Sequence, residues 1–208
     1  MQRKLAPFIL LQLASLTSVI SGSMVFIAIP WIALEITGTS TAAGLVVSIT
    51  AIPGLILSPI IGSIIDKIGR KRMAVWVEFL TMLTSVMIPI FAGFWELTLP
   101  ALIVIGILRA VVAPGGGTAR KSLVPDVAAV GKMTLDRANS IHEAVFASGF
   151  AIGPALATFC IALIGSASTF WVVALFGILS AFFALLIRVV EQHEEHDETE
   201  NEPFYIYA

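Results

Sequence analysis

The stretch Gly62-Ser63-Ile64-Ile65-Asp66-Lys67-Ile68-Gly69-Arg70-Lys71-Arg72 stands between two apolar runs, 41–65 and 73–95. Each run is long enough to cross the hydrocarbon layer of a bilayer as a helix, which takes about 20 residues. Asp66, Lys67, Arg70, Lys71 and Arg72 cannot rest in hydrocarbon, so the segment reads as a tight polar turn joining two antiparallel membrane helices. Gly69 permits a backbone turn that a larger residue would strain, and Gly62 is expected to allow close helix approach. Asp66 offers a fixed acid for the cations that follow it, and those cations can also hold the turn against an anionic leaflet.

The same alternation extends in both directions. Further apolar segments cover 8–34, 97–116, 141–164 and 169–190, making six spans in a bundle expected over 1–190, with an acidic cytoplasmic tail over 191–208. None shows the ten-residue alternation of a membrane barrel strand, so the expected fold is an all-α membrane protein. Composition agrees: of 208 residues, 58% are hydrophobic and 12% charged, against about a quarter charged in soluble domains. The mean hydropathy is +0.97. The first apolar run is too long for the core of a secretory signal, so it reads as a retained span.

Basic residues mark one side. Arg3 and Lys4 precede the first span, the turn described above joins the second and third, Arg120, Lys121, Lys132 and Arg137 join the fourth and fifth, and Arg188 closes the sixth. The opposite connections hold no Lys or Arg. By the positive-inside rule the basic connections and both chain ends face the cytoplasm, with Trp31, Trp95 and Trp171 near the outer interface. The cations fall in short segments between spans rather than over a folded surface, which argues against nucleic acid as a partner. The partners expected are the bilayer and a small-molecule substrate.

The spacing Gly62, three residues, Asp66, Lys67, one residue, Gly69, then Arg70 and Lys71 resembles the loop signature of the major facilitator superfamily. Gly149-Phe150-Ala151-Ile152-Gly153-Pro154 in the fifth span is similar to the Gly-x-x-x-Gly-Pro element of the family's exporters, and Ala147, Ala151 and Ala157 look like extensions of its small face. Leu34 to Gly38, Ala119 to Asp126, and Ala138 with Asn139 look like the macrolide-efflux and siderophore-exporter branch. The resemblance implies one six-span half of a twelve-span transporter, with the solute path between two such bundles. It implies a gating role for Gly62, Asp66, Lys67, Gly69, Arg70, Lys71 and Arg72, which would clamp the partner bundle when the cavity opens outward. It implies a helix-packing pivot at Gly149, Gly153 and Pro154.

Arg109 is the one ionised side chain expected near the middle of a span, at a cost of roughly 2.5–3.5 kcal/mol. It resembles the family's span-four arginine, although Val112 and Ala113 stand where Gln and Gly are usual. Two readings are open: it faces the cavity toward an anionic solute or a proton-binding carboxylate, or it bonds backbone carbonyls inside the bundle. Glu35, Glu78, Glu96 and Glu143 are expected toward span ends; if transport is proton-coupled, the titrating acid belongs to a missing half or is Glu78 reaching inward, and both readings stay open. The hydroxyls of Ser15, Thr17, Ser18, Ser21 and Ser23 suit either a cavity wall or bonds between helices.

Enzyme chemistry finds no support. His142-Glu143 lacks the second His of a zinc-protease helix, since Phe146 stands there, and Arg120 replaces the essential glycine of a phosphate loop in Gly115 to Ser122. Cys160 is the sole cysteine, so neither an intrachain disulfide nor a cysteine metal cluster can form. His193 and His196 read as part of a solvated tail. No cofactor is expected. The leading functional expectation is ion-driven efflux of amphipathic solutes. The alternatives are a truncated or split chain acting as an interaction partner, and a six-span protein that pairs with its own copy.

Overall fold

A computed structural model describes residues 5–188, and every regular element among them is an α-helix. The order is α1 (Ala6–Thr37), α2 (Ser40–Ile68), α3 (Arg70–Phe94), α4 (Leu99–Ser122), α5 (Val124–Gly131), α6 (Leu135–Ile164) and α7 (Thr169–Leu186). Six of these are long and apolar enough to cross a membrane, and the short α5 lies between the fourth and fifth spans. The chain is thus a multi-pass all-α membrane bundle. Arg3, Lys4, the stretch 191–208 and His193 and His196 within it lie outside the described residues.

Several helix limits differ from their hydropathy limits, α7 ending at Leu186 rather than at 190, and the two largest extensions have one reason. An α-helix satisfies its own backbone groups wherever it runs, so α4 continues past Gly116 to Ser122 and α6 starts at Leu135, ahead of the apolar run. Consequently Arg120 and Lys121, expected in a connecting loop, are helical residues. The end of the bundle holding Lys67 to Arg72, Arg120, Lys121, Lys132, Arg137 and Arg188 is called the basic end below.

α1 is the central helix. Half of its apolar window is buried, and it packs on α2, α6 and α7, while α3 packs on α4 and α7, and α2 on α4. Lipid removes most of the hydrophobic drive between helices, so association relies on small residues and interhelical hydrogen bonds. The hydroxyls of α1 supply the bonds. Ser21 Oγ donates to Val173 O at 3.0 Å and Ser23 Oγ to Gly149 O at 3.2 Å, while Ser180 Oγ of α7 donates back to Ala14 O at 2.8 Å.

The small residues come from α6. Gly149, Gly153 and Ala157 share one buried face, spaced by the four residues that return to the same side of a helix. A Cβ on Gly149 would lie 3.0 Å from the Val19 side chain, and one on Gly153 would meet Ser23 Oγ and stand 2.9 Å from Ile20 O. Ala147 and Ala151 do not extend this face: they are exposed, because their offset of two residues turns them to the other side of α6.

At the basic end, Gly69 joins α2 to α3 with φ 94° and ψ 140°, a conformation essentially reserved to glycine. Gly69→Val should therefore lower stability by about 1–3 kcal/mol, seen as an earlier thermal release of the buried Cys160 thiol to a thiol-reactive dye. Gly62 departs from expectation. No atom lies within 4 Å of a Cβ placed there, so it mediates no close approach inside this bundle.

Candidate functional site: a buried ion pair beneath a polar cleft

α4 presents Arg109 and Arg120 to α3, because 11 residues make just over three full turns and return to the same face. Gly115 and Gly116 lie between them, with Val77 and Met73 of α3 packed so close that an added Cβ would stand 2.6 Å from Met73 Cε and 2.8 Å from Val77 Cγ1. The two helices can touch there because α4 has no side chains in the way.

Arg120 is 5% exposed and Glu78 of α3 is 4% exposed, so an ion pair is closed off inside the bundle. Arg120 Nη1 donates to Glu78 Oε1 at 2.5 Å, Arg120 Nη2 to Ser18 Oγ at 2.6 Å, and Ser18 Oγ to Glu78 Oε1 at 2.5 Å. Each member of this triangle meets both others, and the three come from α1, α3 and α4. Charges buried this way persist only when paired and hydrogen-bonded.

Two sequence expectations need correction here. Glu78 is not solvated at a span end but buried, the inward-reaching one of its two open readings, and Arg120 is not a connector residue. Arg109 is consequently not the only ionised side chain inside the bundle.

Arg109 lies further along α4. Its Nη1 donates to Thr81 O at 2.9 Å and to Ser85 Oγ at 2.7 Å, both on α3 and within two turns of Glu78. The contacts observed are thus those of an arginine bonded to a backbone carbonyl and a hydroxyl.

α4 and α6 stand on either side of α1 with little direct packing on each other, leaving a cleft of about 620 Å³ floored by α1. Ser15 and Val19 of α1, Thr118 and Arg120 of α4, and His142 and Phe146 of α6 line it. Across its mouth Lys121 Nζ donates to Glu143 Oε1 at 2.7 Å, both side chains well exposed. His142 is buried, with its Nδ1 3.1 Å from Gln12 Oε1. Polar groups on a membrane helix gather toward the bundle interior or a water-filled cavity, and this cleft collects those of three helices.

The turn that opened the sequence reading makes different contacts from those expected. Asp66 is exposed and forms no ion pair among the described residues. Arg70 instead reaches α5, where its Nη1 donates to Asp126 Oδ2 and to Ser122 O, each at 3.2 Å. Asp126 suits that place, being in the first turn of a helix whose N-terminal dipole favours an acid. Lys71 Nζ donates to Ile187 O at 2.6 Å, tying the turn to the end of α7. At the opposite end Glu35 accepts from Trp31 Nε1 at 2.7 Å and from Ser166 Oγ, so the α6–α7 connection is fastened to α1.

Ser18, Glu78, Arg120, His142 and Asp126 were not singled out as site residues by sequence reasoning. The available signal was helical phase: Arg120 falls three turns from Arg109, with three glycines between them.

Comparison with known proteins places these features in a family. The Major Facilitator Superfamily profile matches residues 11–205. "Multidrug efflux pump Tap" of Mycolicibacterium fortuitum is 33% identical over 174 residues, covering 82% of this chain and 42% of the relative. The pump of the same name from Mycobacterium tuberculosis (strain ATCC 25618 / H37Rv) is 31% identical, with 81% and 41% covered. "Multidrug resistance protein 1" of Bacillus subtilis (strain 168) is 30% identical, with 81% and 42% covered. The chain spans about two fifths of the length of these curated relatives.

Proposed function

The chain belongs to the Major Facilitator Superfamily, and from that footing we propose that it forms one wall of an export pathway for small amphipathic solutes. The pathway works by alternating access and draws on an ion gradient rather than on nucleotide. The observation that carries this reading is the cleft between α4 and α6, a recess of solute size where polar side chains of three helices meet an apolar wall. The relatives named as multidrug efflux pumps support the same direction of transport.

In this reading a second six-span bundle faces the cleft. α2 and α6 support that placement, since only 11% and 17% of their apolar windows are buried, against 50% for α1. The basic end lies in the cytoplasm of a bacterial cell, by the positive-inside rule. Arg109 then serves the pathway from the α3–α4 interface.

Export is tested in cells that produce the chain with its second bundle and are loaded with a fluorescent amphipathic dye. Dye should leave faster than from control cells, and Arg109→Ala should slow it about tenfold, the effect of roughly 1.4 kcal/mol, while insertion persists. Equal dye retention with and without the protein would remove the export reading. An unslowed Arg109→Ala variant would take Arg109 out of the pathway.

The turn from Gly62 to Arg72 acts in this proposal as a latch on the second bundle. Arg70 and Lys71 fasten it to α5 and α7, which leaves Asp66, with Lys67 and Arg72, exposed and placed to reach across. Asp66→Asn should raise the thiol-labelling rate of a cysteine placed in the cleft from the basic side. Identical rates in both proteins would reject the latch.

A further inference from the structure

Every formal charge bordering the cleft is already matched. Arg120 is neutralised by Glu78 at 2.5 Å and Lys121 by Glu143 at 2.7 Å. A solute bearing a net charge would have to leave water for a recess that offers it no unmatched counter-charge, and desolvation opposes that transfer. Hydrogen-bonding capacity, by contrast, is left over. Ser15 lines the cleft and is 3% exposed, yet its Oγ has no hydrogen-bond partner among the described residues. Its neighbours on α1 behave differently, since Thr17 and Ser23 both bond back to carbonyls of their own helix. Gln12 Nε2, on the amide whose Oε1 meets His142 Nδ1, is likewise buried and unpartnered.

A buried donor without an acceptor carries a desolvation penalty that any acceptor placed against it removes. Val19 and Phe146 supply an apolar wall beside that donor. We infer that the cleft is a binding site for uncharged amphipathic solutes, with an apolar ring system against Val19 and Phe146 and a neutral oxygen acceptor, such as a ketone or ether, on Ser15 Oγ. The assignment names the solute class of the pathway proposed above and rests on that reading. It separates this recess from sites that select organic cations or anions, which need an unpaired charge of opposite sign.

The test uses the purified full chain in lipid nanodiscs and three radiolabelled naphthalene probes that differ in one group: 2-acetonaphthone, 2-naphthoate and 2-naphthylmethylammonium. The cleft component of binding is the part abolished by Thr118→Trp, which fills the recess from an exposed position. The ketone should show such a component and bind more tightly than either charged probe. Ser15→Ala should weaken the ketone about 2–10-fold, the range for one hydrogen bond, and Ser15→Thr should restore it. Equal or tighter binding of a charged probe overturns the solute class, and absence of a component sensitive to Thr118→Trp overturns the site. Both readouts stand even if Ser15→Ala does not fold, and an unweakened Ser15→Ala that does fold overturns the role of the hydroxyl. Because no transport is measured, intact binding with absent dye export would remove only the export reading, and intact export with absent binding only the site.

Discussion

Glu78→Leu is expected to destabilise the bundle by about 3–5 kcal/mol, because it leaves the guanidinium of Arg120 buried without its counter-ion. Ser18 Oγ would remain as a partner at 2.6 Å, but a hydroxyl cannot neutralise a charge. For a chain of this size the loss corresponds to a fall in melting temperature on the order of 10 °C. Cys160 provides the readout, since it is the sole cysteine and is buried, so a dye that fluoresces on thiol attachment reports the opening of the bundle. The double variant Glu78→Leu with Arg120→Met should recover most of the loss, as apolar side chains of similar volume commonly replace a buried pair without penalty. A single variant as stable as the original would show that water reaches the pair.

Gly153→Leu is the second large effect. The α1 backbone lies so near that even a Cβ would stand 2.9 Å from Ile20 O and collide with Ser23 Oγ. Overpacking of this kind costs about 1–3 kcal/mol where neighbours can shift. Here a backbone carbonyl stands in the way, so separation of α1 from α6 is the expected result. Cys160 lies on the buried side of the same helix and should become dye-reactive without heating. Gly149→Ala, whose added Cβ meets the Val19 side chain at 3.0 Å and stands farther from backbone, 3.3 Å from Leu16 O, should produce a smaller fall in melting temperature. Equal effects at both positions would contradict close backbone contact at Gly153.

The spans were legible because hydropathy over 20 residues is an averaged property, and averaging tolerates single exceptions. Those exceptions are what the averaging hid. Glu78 follows Arg72 by six residues and Arg120 adjoins Lys121 in the chain, so the first reads as a residue toward a span end and the second as part of a basic connector. Yet α3 begins at Arg70 and α4 ends at Ser122, which carries both side chains inside the bundle. Their pairing joins residues 42 apart, a distance no local pattern encodes.

The α6 packing face was half legible. Gly149, Gly153 and Ala157 follow the helical period, whereas Ala147 and Ala151 are small residues out of phase with it, and size alone misassigned them. For the hydroxyls of α1, composition left two uses open, and both occur: Ser21 and Ser23 bond neighbouring helices while Ser15 lines the cleft. The polar turn was read correctly as a helix junction at Gly69. Its ion pairing was not, because Arg70 finds its acid on α5 rather than four residues back at Asp66.

The central claim is that a water-accessible cleft, open toward the basic end, lies inside a bundle whose outer faces meet lipid. Single cysteines at Thr118, in the cleft, and at Ile178, exposed at the middle of α7, can be compared in a Cys160→Ala background in membrane vesicles of both orientations. A membrane-impermeant maleimide should label the Thr118 position when the cytoplasmic face is outward and leave the Ile178 position unlabelled in either orientation. Labelling of Ile178, or labelling of Thr118 only from the opposite face, would contradict the account.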